Sequence, residues 1–190
     1  MLETDNTLTG LFRDLIRSAL AAQQVEASEA TEFYLVRLLE DFTRPGRADL
    51  LDPPLALDYL AAGHLPAPQR YAKLKRVADT ALFVTGLFVD SLDRTLVGVD
   101  YYTALGRNAY ARLSAEPMRA ARAAPFEDLA GRFLEYVRVL MQISDQDIFR
   151  RDQDTLRLYK RWLHTGGRRE ADLLIRRGLI PVASRSSVRH

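Results

Sequence analysis

The chain has 190 residues, 47% hydrophobic and 27% charged, a balance that supports one buried core and excludes a disordered polymer. It contains no cysteine, which removes disulfides, thiolate metal centres and cysteine nucleophiles and suits a reducing compartment. The formal net charge of +2 conceals an uneven distribution: residues 1–100 carry 10 basic and 15 acidic side chains, residues 101–156 carry 8 of each, and residues 157–190 carry 9 basic against 2 acidic.

Taken in order, the chain reads as helix nearly throughout. Leu8, Leu11, Phe12, Leu15, Ala19 and Leu20 recur at intervals of three and four, which predicts a first helix with Thr7 as its N-cap. Ser28 can cap a second, with Phe33, Val36 (or Leu35), Leu39 and Phe42 inward. The stretch TRPGRADLLDPP (43–54) is a loop by its proline and glycine content. A short helix follows from Pro53-Pro54 to Gly63, proline first and glycine last.

The stretch from Gln69 to Leu92 is the most informative. Tyr71, Leu74, Val77 and Ala78 keep a helical period that continues through Ala81, Leu82, Thr85, Phe88, Val89 and Leu92. The opposite face changes from Arg70, Lys73 and Lys75 to Phe83, Val84 and Leu87. A helix that starts amphipathic and ends apolar all round enters the core, so this is the expected buried central helix. Gly86 costs it roughly 1 kcal/mol in propensity, which a closely packed neighbouring helix offsets.

A fifth helix opens at Val99 and Asp100 and carries Tyr101, Tyr102, Leu105, Ala109 and Leu113, with Gly106 again small in its middle. SAEPMRAARAAP (114–125) is a connection, and Pro125 starts a sixth helix with Phe126, Leu129, Ala130, Phe133, Val137 and Leu140 inward. Beyond the polar link QISDQDIFRRDQD (142–154), a seventh helix holds Leu156, Tyr159 and Leu163, and an eighth runs from Arg168 to about Arg177, ended by Gly178. The expected architecture is all-α: a single-domain bundle of seven or eight helices over residues 1–180, with a basic, flexible tail at 181–190.

Chemistry-bearing patterns are few. Di-iron helical bundles need Glu-x-x-His pairs, and the chain has none; its histidines, His64, His164 and His190, stand at helix ends or in the tail, so no metal site and no cofactor are expected. No phosphate-binding glycine loop or nucleophile elbow is present. Asp90, Asp93 and Asp100 around the end of the central helix, with Tyr101 and Tyr102, could serve acid–base chemistry or magnesium. The plainer reading is that Asp90 and Asp93 mark the helix's return to solvent and Asp100 is an N-cap. The aromatic residues Phe83, Phe88, Tyr101, Tyr102, Tyr110, Phe126, Phe133, Tyr136, Tyr159 and Trp162 read as core before cavity.

The segment LHTGGRREADLL (163–174) resembles the helix-hairpin-helix DNA-binding motif, whose glycine hairpin offers backbone amides to a phosphate. It matches at Gly167, Ala171 and Leu174 and departs from it at Thr165 and Gly166. Arg168 and Arg169 behind Gly166 and Gly167, with Arg176 and Arg177 two turns on, suit an anion or an acidic partner. Through LKRVADTALFVTGLFVDSL, VDYYTALGRNAY and YKRWLHTGG, the chain also resembles a family of bacterial all-helical proteins with no assigned activity. That resemblance implies one helical unit over most of the length and nothing about function.

The expected function is a non-catalytic cytoplasmic helical module that binds another macromolecule, a protein or a second copy of itself, without a membrane. The alternatives are nucleic-acid binding through the basic C-terminal hairpin, to which Arg185 and Arg189 would add, and an enzyme or small-ligand carrier with a pocket near Asp90, Asp100, Tyr101 and Tyr102. No signal-like or membrane-spanning run is expected from the sequence pattern.

Overall fold

The computed structural model describes residues 3–43, 55–87, 98–116, 123–145 and 167–176, together with Leu158 and Trp162. Within these the helices are α1 (Glu3–Ala22), α2 (Glu29–Thr43), α3 (Leu55–Ala62), α4 (Ala67–Leu87), α5 (Val99–Ser114), α6 (Ala124–Gly131), α7 (Phe133–Asp145) and α8 (Arg168–Arg176). Leu158 and Trp162 are helical and buried as well. No strand occurs among the described residues, and the architecture is the all-α bundle the periodicity predicts. No helix among them is long and apolar enough to cross a membrane.

α1 starts earlier than Thr7, which therefore lies inside the helix and not at its N-cap position. Its buried face is Phe12, Leu15, Ile16, Ala19 and Leu20; Leu11 falls at the solvent edge, and Ile16 takes the inward place. The helix ends with Gln24 in the left-handed region (φ 54°). The Val25 amide donates to the Leu20 carbonyl (2.9 Å) and the Gln24 amide to that of Ala21 (3.2 Å), so the terminal carbonyls are satisfied by a Schellman turn built on glutamine instead of glycine.

Ser28 does cap α2: its Oγ accepts from the Thr31 amide at 3.1 Å. Leu35, Val36, Leu38, Leu39 and Phe42 form the buried face, and Phe33, expected inward, is half exposed. The inner arc is already filled by those five, and Phe33 sits on the far side with the Arg37 guanidinium 5.4 Å above its ring. Buried Glu40 accepts from Thr9 on α1 and from Arg37 Nη1 at 2.8 Å.

α4 is the centre of the bundle, with α3, α5 and α7 packed on it. Every residue from Val77 to Leu87 is buried, so the helix that starts amphipathic does enter the core. Close packing explains both mid-helix glycines. A Cβ at Gly86 would stand 2.9 Å from Leu140 Cδ1 of α7, and one at Gly106 of α5 would stand 2.6 Å from the Phe133 ring and 3.0 Å from Ala81 Cβ. The predicted sixth helix is two. Gly131 and Arg132 interrupt it, Arg132 leaves helical geometry (φ −116°, ψ 29°), and α7 restarts at Phe133, which fills the space Gly106 leaves. The continuation of the central helix through Leu92, the predicted Leu156–Leu163 helix apart from Leu158 and Trp162, and the 181–190 tail lie outside the described residues.

Candidate functional site

The most concentrated polar chemistry in the core lies around Asp79 of α4, which is only 7% exposed. Its Oδ1 accepts from the Tyr34 hydroxyl of α2 (2.5 Å) and the Tyr110 hydroxyl of α5 (2.8 Å), and its Oδ2 accepts from Lys75 Nζ one turn earlier (2.5 Å). Lys75 Nζ also lies 5.1 Å from the centre of the Tyr34 ring. Phe126 of α6 closes the group, edge-on to Tyr34 at 5.3 Å and stacked on Tyr110 at 6.0 Å.

Burial first, and the Asp79 charge second, hold Tyr34 and Tyr110 well above the usual phenol range. Burial pulls the Lys75 ammonium down, but attraction to Asp79 outweighs it and the net shift is upward. Both phenols are therefore fixed as neutral donors, and both carboxylate oxygens are taken. A carboxylate so engaged is a clamp tying α2, α4 and α5 together, with three of its roughly four acceptor sites taken.

A second carboxylate does the same one turn nearer the start of α2. Asp128 of α6 accepts from Thr31 Oγ1 (2.9 Å) and the Tyr136 hydroxyl (2.5 Å) through Oδ2, while Arg132 reaches its Oδ1 at 3.4 Å and donates to the Glu26 carbonyl at 2.6 Å. Burial, reinforced by Asp128, raises the Tyr136 phenol as well.

The third polar group surrounds α3. Asp58 takes Lys73 Nζ at 2.7 Å and Arg76 Nη2 at 2.8 Å; burial pushes its carboxyl up, and the two cations overcome this and hold it low. At the end of α3, Arg70 makes a bidentate pair with Glu116 (2.5 and 3.1 Å) and donates to the Leu65 carbonyl at 3.3 Å. The Arg112 guanidinium lies 5.0 Å above the Tyr59 ring. α3 buries Leu55 and Ala62 against the bundle, while Leu57 and Leu60, one turn apart, are 63% and 65% exposed beside exposed Ala61.

The sequence-derived candidates fall elsewhere. Asp100 and Tyr101 are exposed on the first turn of α5; Tyr102 is half buried and meets Tyr101 edge-on at 5.2 Å. Asp100 is not the N-cap: that position is Gly98, with no side-chain cap, and Asp100 contributes a negative charge to the first turn. Gly167 immediately precedes α8 and its carbonyl accepts from the Ala171 amide (3.0 Å); Arg168 and Arg169 are exposed on the first turn, and Arg176 is the last residue of the helix. Asp90, Gly166, Arg177, Arg185 and Arg189 lie outside the described residues. Of the aromatic set, Phe83, Tyr110, Phe126, Phe133, Tyr136 and Trp162 are core.

Asp79, Tyr34 and the α3 leucines were not singled out by sequence. A signal existed for two of them: Lys75 and Asp79 are four apart just where the helix turns apolar, and LALDYLAA has a single charge and no polar face. No group of three or more potential metal-ligating side chains converges among the described residues. No family model, curated protein or solved structure matches the chain.

Proposed function

We propose that this chain is a non-catalytic helical module that binds another protein through the outer face of α3. The observation that carries the reading is the pair Leu57 and Leu60, both nearly two-thirds exposed on a helix whose one charged side chain, Asp58, is turned to Lys73 and Arg76. Single exposed leucines are ordinary; adjacent ones on a helix without a polar outer face indicate a surface that another apolar surface covers. The Asp79 and Asp128 centres favour the same conclusion, because their hydrogen bonds hold helices together. A cytoplasmic setting, as expected for a cysteine-free chain, belongs to this proposal. The test is a photo-crosslinking residue at Leu60, with one at exposed Glu127 as control, in an extract of the source organism. A discrete adduct at position 60 that disappears in Leu57→Asp supports the reading; equal labelling from both positions defeats it.

Nucleic-acid binding is the second reading, favoured by exposed Arg168 and Arg169 on the first turn of α8 behind Gly167. It requires affinity for mixed-sequence DNA or RNA that falls steeply with salt as counterions are released. Retention of that affinity in Arg168→Ala/Arg169→Ala would dismiss it.

A further inference from the structure

The charges around α3 are layered, and the layering identifies what the leucines meet. Resting on the reading of α3 as a docking face, we infer that its partner is an acidic amphipathic helix, with leucine-type side chains on one face and carboxylates along its flanks. In each ion pair beside α3 the carboxylate lies inside and the cation outside. The Asp58 side chain is 15% exposed against 32% for Lys73, and Glu116 is 12% exposed against 29% for Arg70. Asp58 is shared between Lys73 and Arg76, so it neutralises neither completely. Arg112, over Tyr59, adds a cation on the α5 side.

The face therefore presents an apolar centre, Leu57, Leu60 and Ala61, within a rim whose accessible charges, among the described residues, are Lys73, Arg76, Arg70 and Arg112. A rim of this sign attracts carboxylates and accelerates their encounter, while the apolar centre supplies the burial. The same rim argues against an isologous pair of this chain through α3, because a two-fold axis at the leucines would bring like-charged rims together.

The test uses the full chain and three 16-residue helical peptides. All three carry leucine at positions i, i+3, i+7 and i+10; the flanks are glutamate in the first, glutamine in the second and lysine in the third. Binding is followed by fluorescence anisotropy, by backbone amide shifts, and by sedimentation of the chain alone. The expected result is binding of the glutamate peptide at least about tenfold tighter than the lysine peptide, with amide shifts centred on α3. That binding weakens about tenfold between 0.05 and 0.5 M salt and is lost in Leu57→Asp/Leu60→Asp. Lys73→Gln and Arg112→Gln, which leave the leucines intact, should each weaken it several-fold. Equal or tighter binding of the glutamine or lysine peptide on α3 overturns the acidic partner and leaves α3 as a docking face. No peptide shifting α3 amides overturns the inference, and the Leu60 crosslink then decides independently whether α3 docks anything. Self-association of the chain alone that Leu57→Asp abolishes overturns it in favour of a second copy.

Discussion

Replacing Asp79 by alanine tests how the bundle centre is held. The substitution leaves the Tyr34 and Tyr110 hydroxyls without their acceptor in a group sealed by Phe126. An orphaned buried hydroxyl costs about 1–3 kcal/mol. Lys75 loses an ion pair worth only about 0.5 kcal/mol, since a third of its side chain is exposed and the ammonium can turn to water. The expected loss, two orphaned hydroxyls and a weak ion pair together, is about 3–6 kcal/mol. For a chain of this length that lowers Tm by about 10 °C. Asp79→Asn keeps an acceptor for both phenols and should cost about half as much.

Urea unfolding at pH 7 followed by far-ultraviolet circular dichroism gives these costs from the midpoints, provided the slopes agree. The decisive comparison is Tyr110→Phe in two backgrounds. In the natural chain it removes a hydrogen bond to a charged group, at about 1.5–3 kcal/mol; beside Asp79→Ala it removes a hydroxyl that has already lost its partner and should be nearly neutral. Additive costs, or an alanine variant within about 1 kcal/mol of the natural chain, would refute the clamp.

The same centre sets the alkaline limit. Below pH 10 the phenols of Tyr34 and Tyr110 are protonated whether the chain is folded or not; above it only the unfolded chain releases them, so stability falls by about 2.7 kcal/mol per pH unit for the two, and raised Lys75 adds to the loss at higher pH. A urea midpoint that stays level between pH 9.5 and 11 contradicts this. Gly86→Ala gains about 1 kcal/mol in helix propensity but drives a methyl into Leu140 at its Cβ, the rigid base of the side chain, and should lose about 1–2 kcal/mol net, whereas Gly10→Ala, with open space around the new Cβ, should gain about 0.5–1 kcal/mol by thermal unfolding. Gln24→Gly removes the left-handed strain at the α1 terminus and should stabilise by about 1 kcal/mol, read by the same measurement. Thr80 Oγ is buried without a hydrogen-bond partner among the described residues, so Thr80→Val should raise the urea midpoint by the equivalent of about 1 kcal/mol.

Much of the fold was legible because it rests on local rules. Period alone located α4, and its loss of a polar side at Phe83, Val84 and Leu87 announced burial; Gly86 and Gly106, costly in isolation, pointed to close helix contacts that Leu140 and Phe133 supply. What escaped depends on groups distant in sequence. Asp79 meets Tyr34 and Tyr110 across 45 and 31 residues, and no period relates a carboxylate on one helix to phenols on two others. The Phe33 error has a similar origin, since three- and four-residue spacing defines a stripe but not which edge of it faces inward. The break at Arg132 was missed because Gly131 is tolerated in many helices and becomes a joint only where Phe133 must reach Gly106.

The α3 surface was present in the sequence as a deficit. A short helix on a bundle ordinarily turns its leucines in and its charges out. LALDYLAA turns its one charge toward two cations of α4 and leaves two leucines in water, so amphipathy fails on the outside instead of the inside. Among the described residues nothing requires leucine at 57 or 60: a glutamate or lysine at either place would meet solvent, raise solubility and leave Leu55 and Ala62 in place. A side chain that costs solubility and leaves nearly two-thirds of its surface in water is explained by packing elsewhere, and the cations beside α3 give that packing its sign.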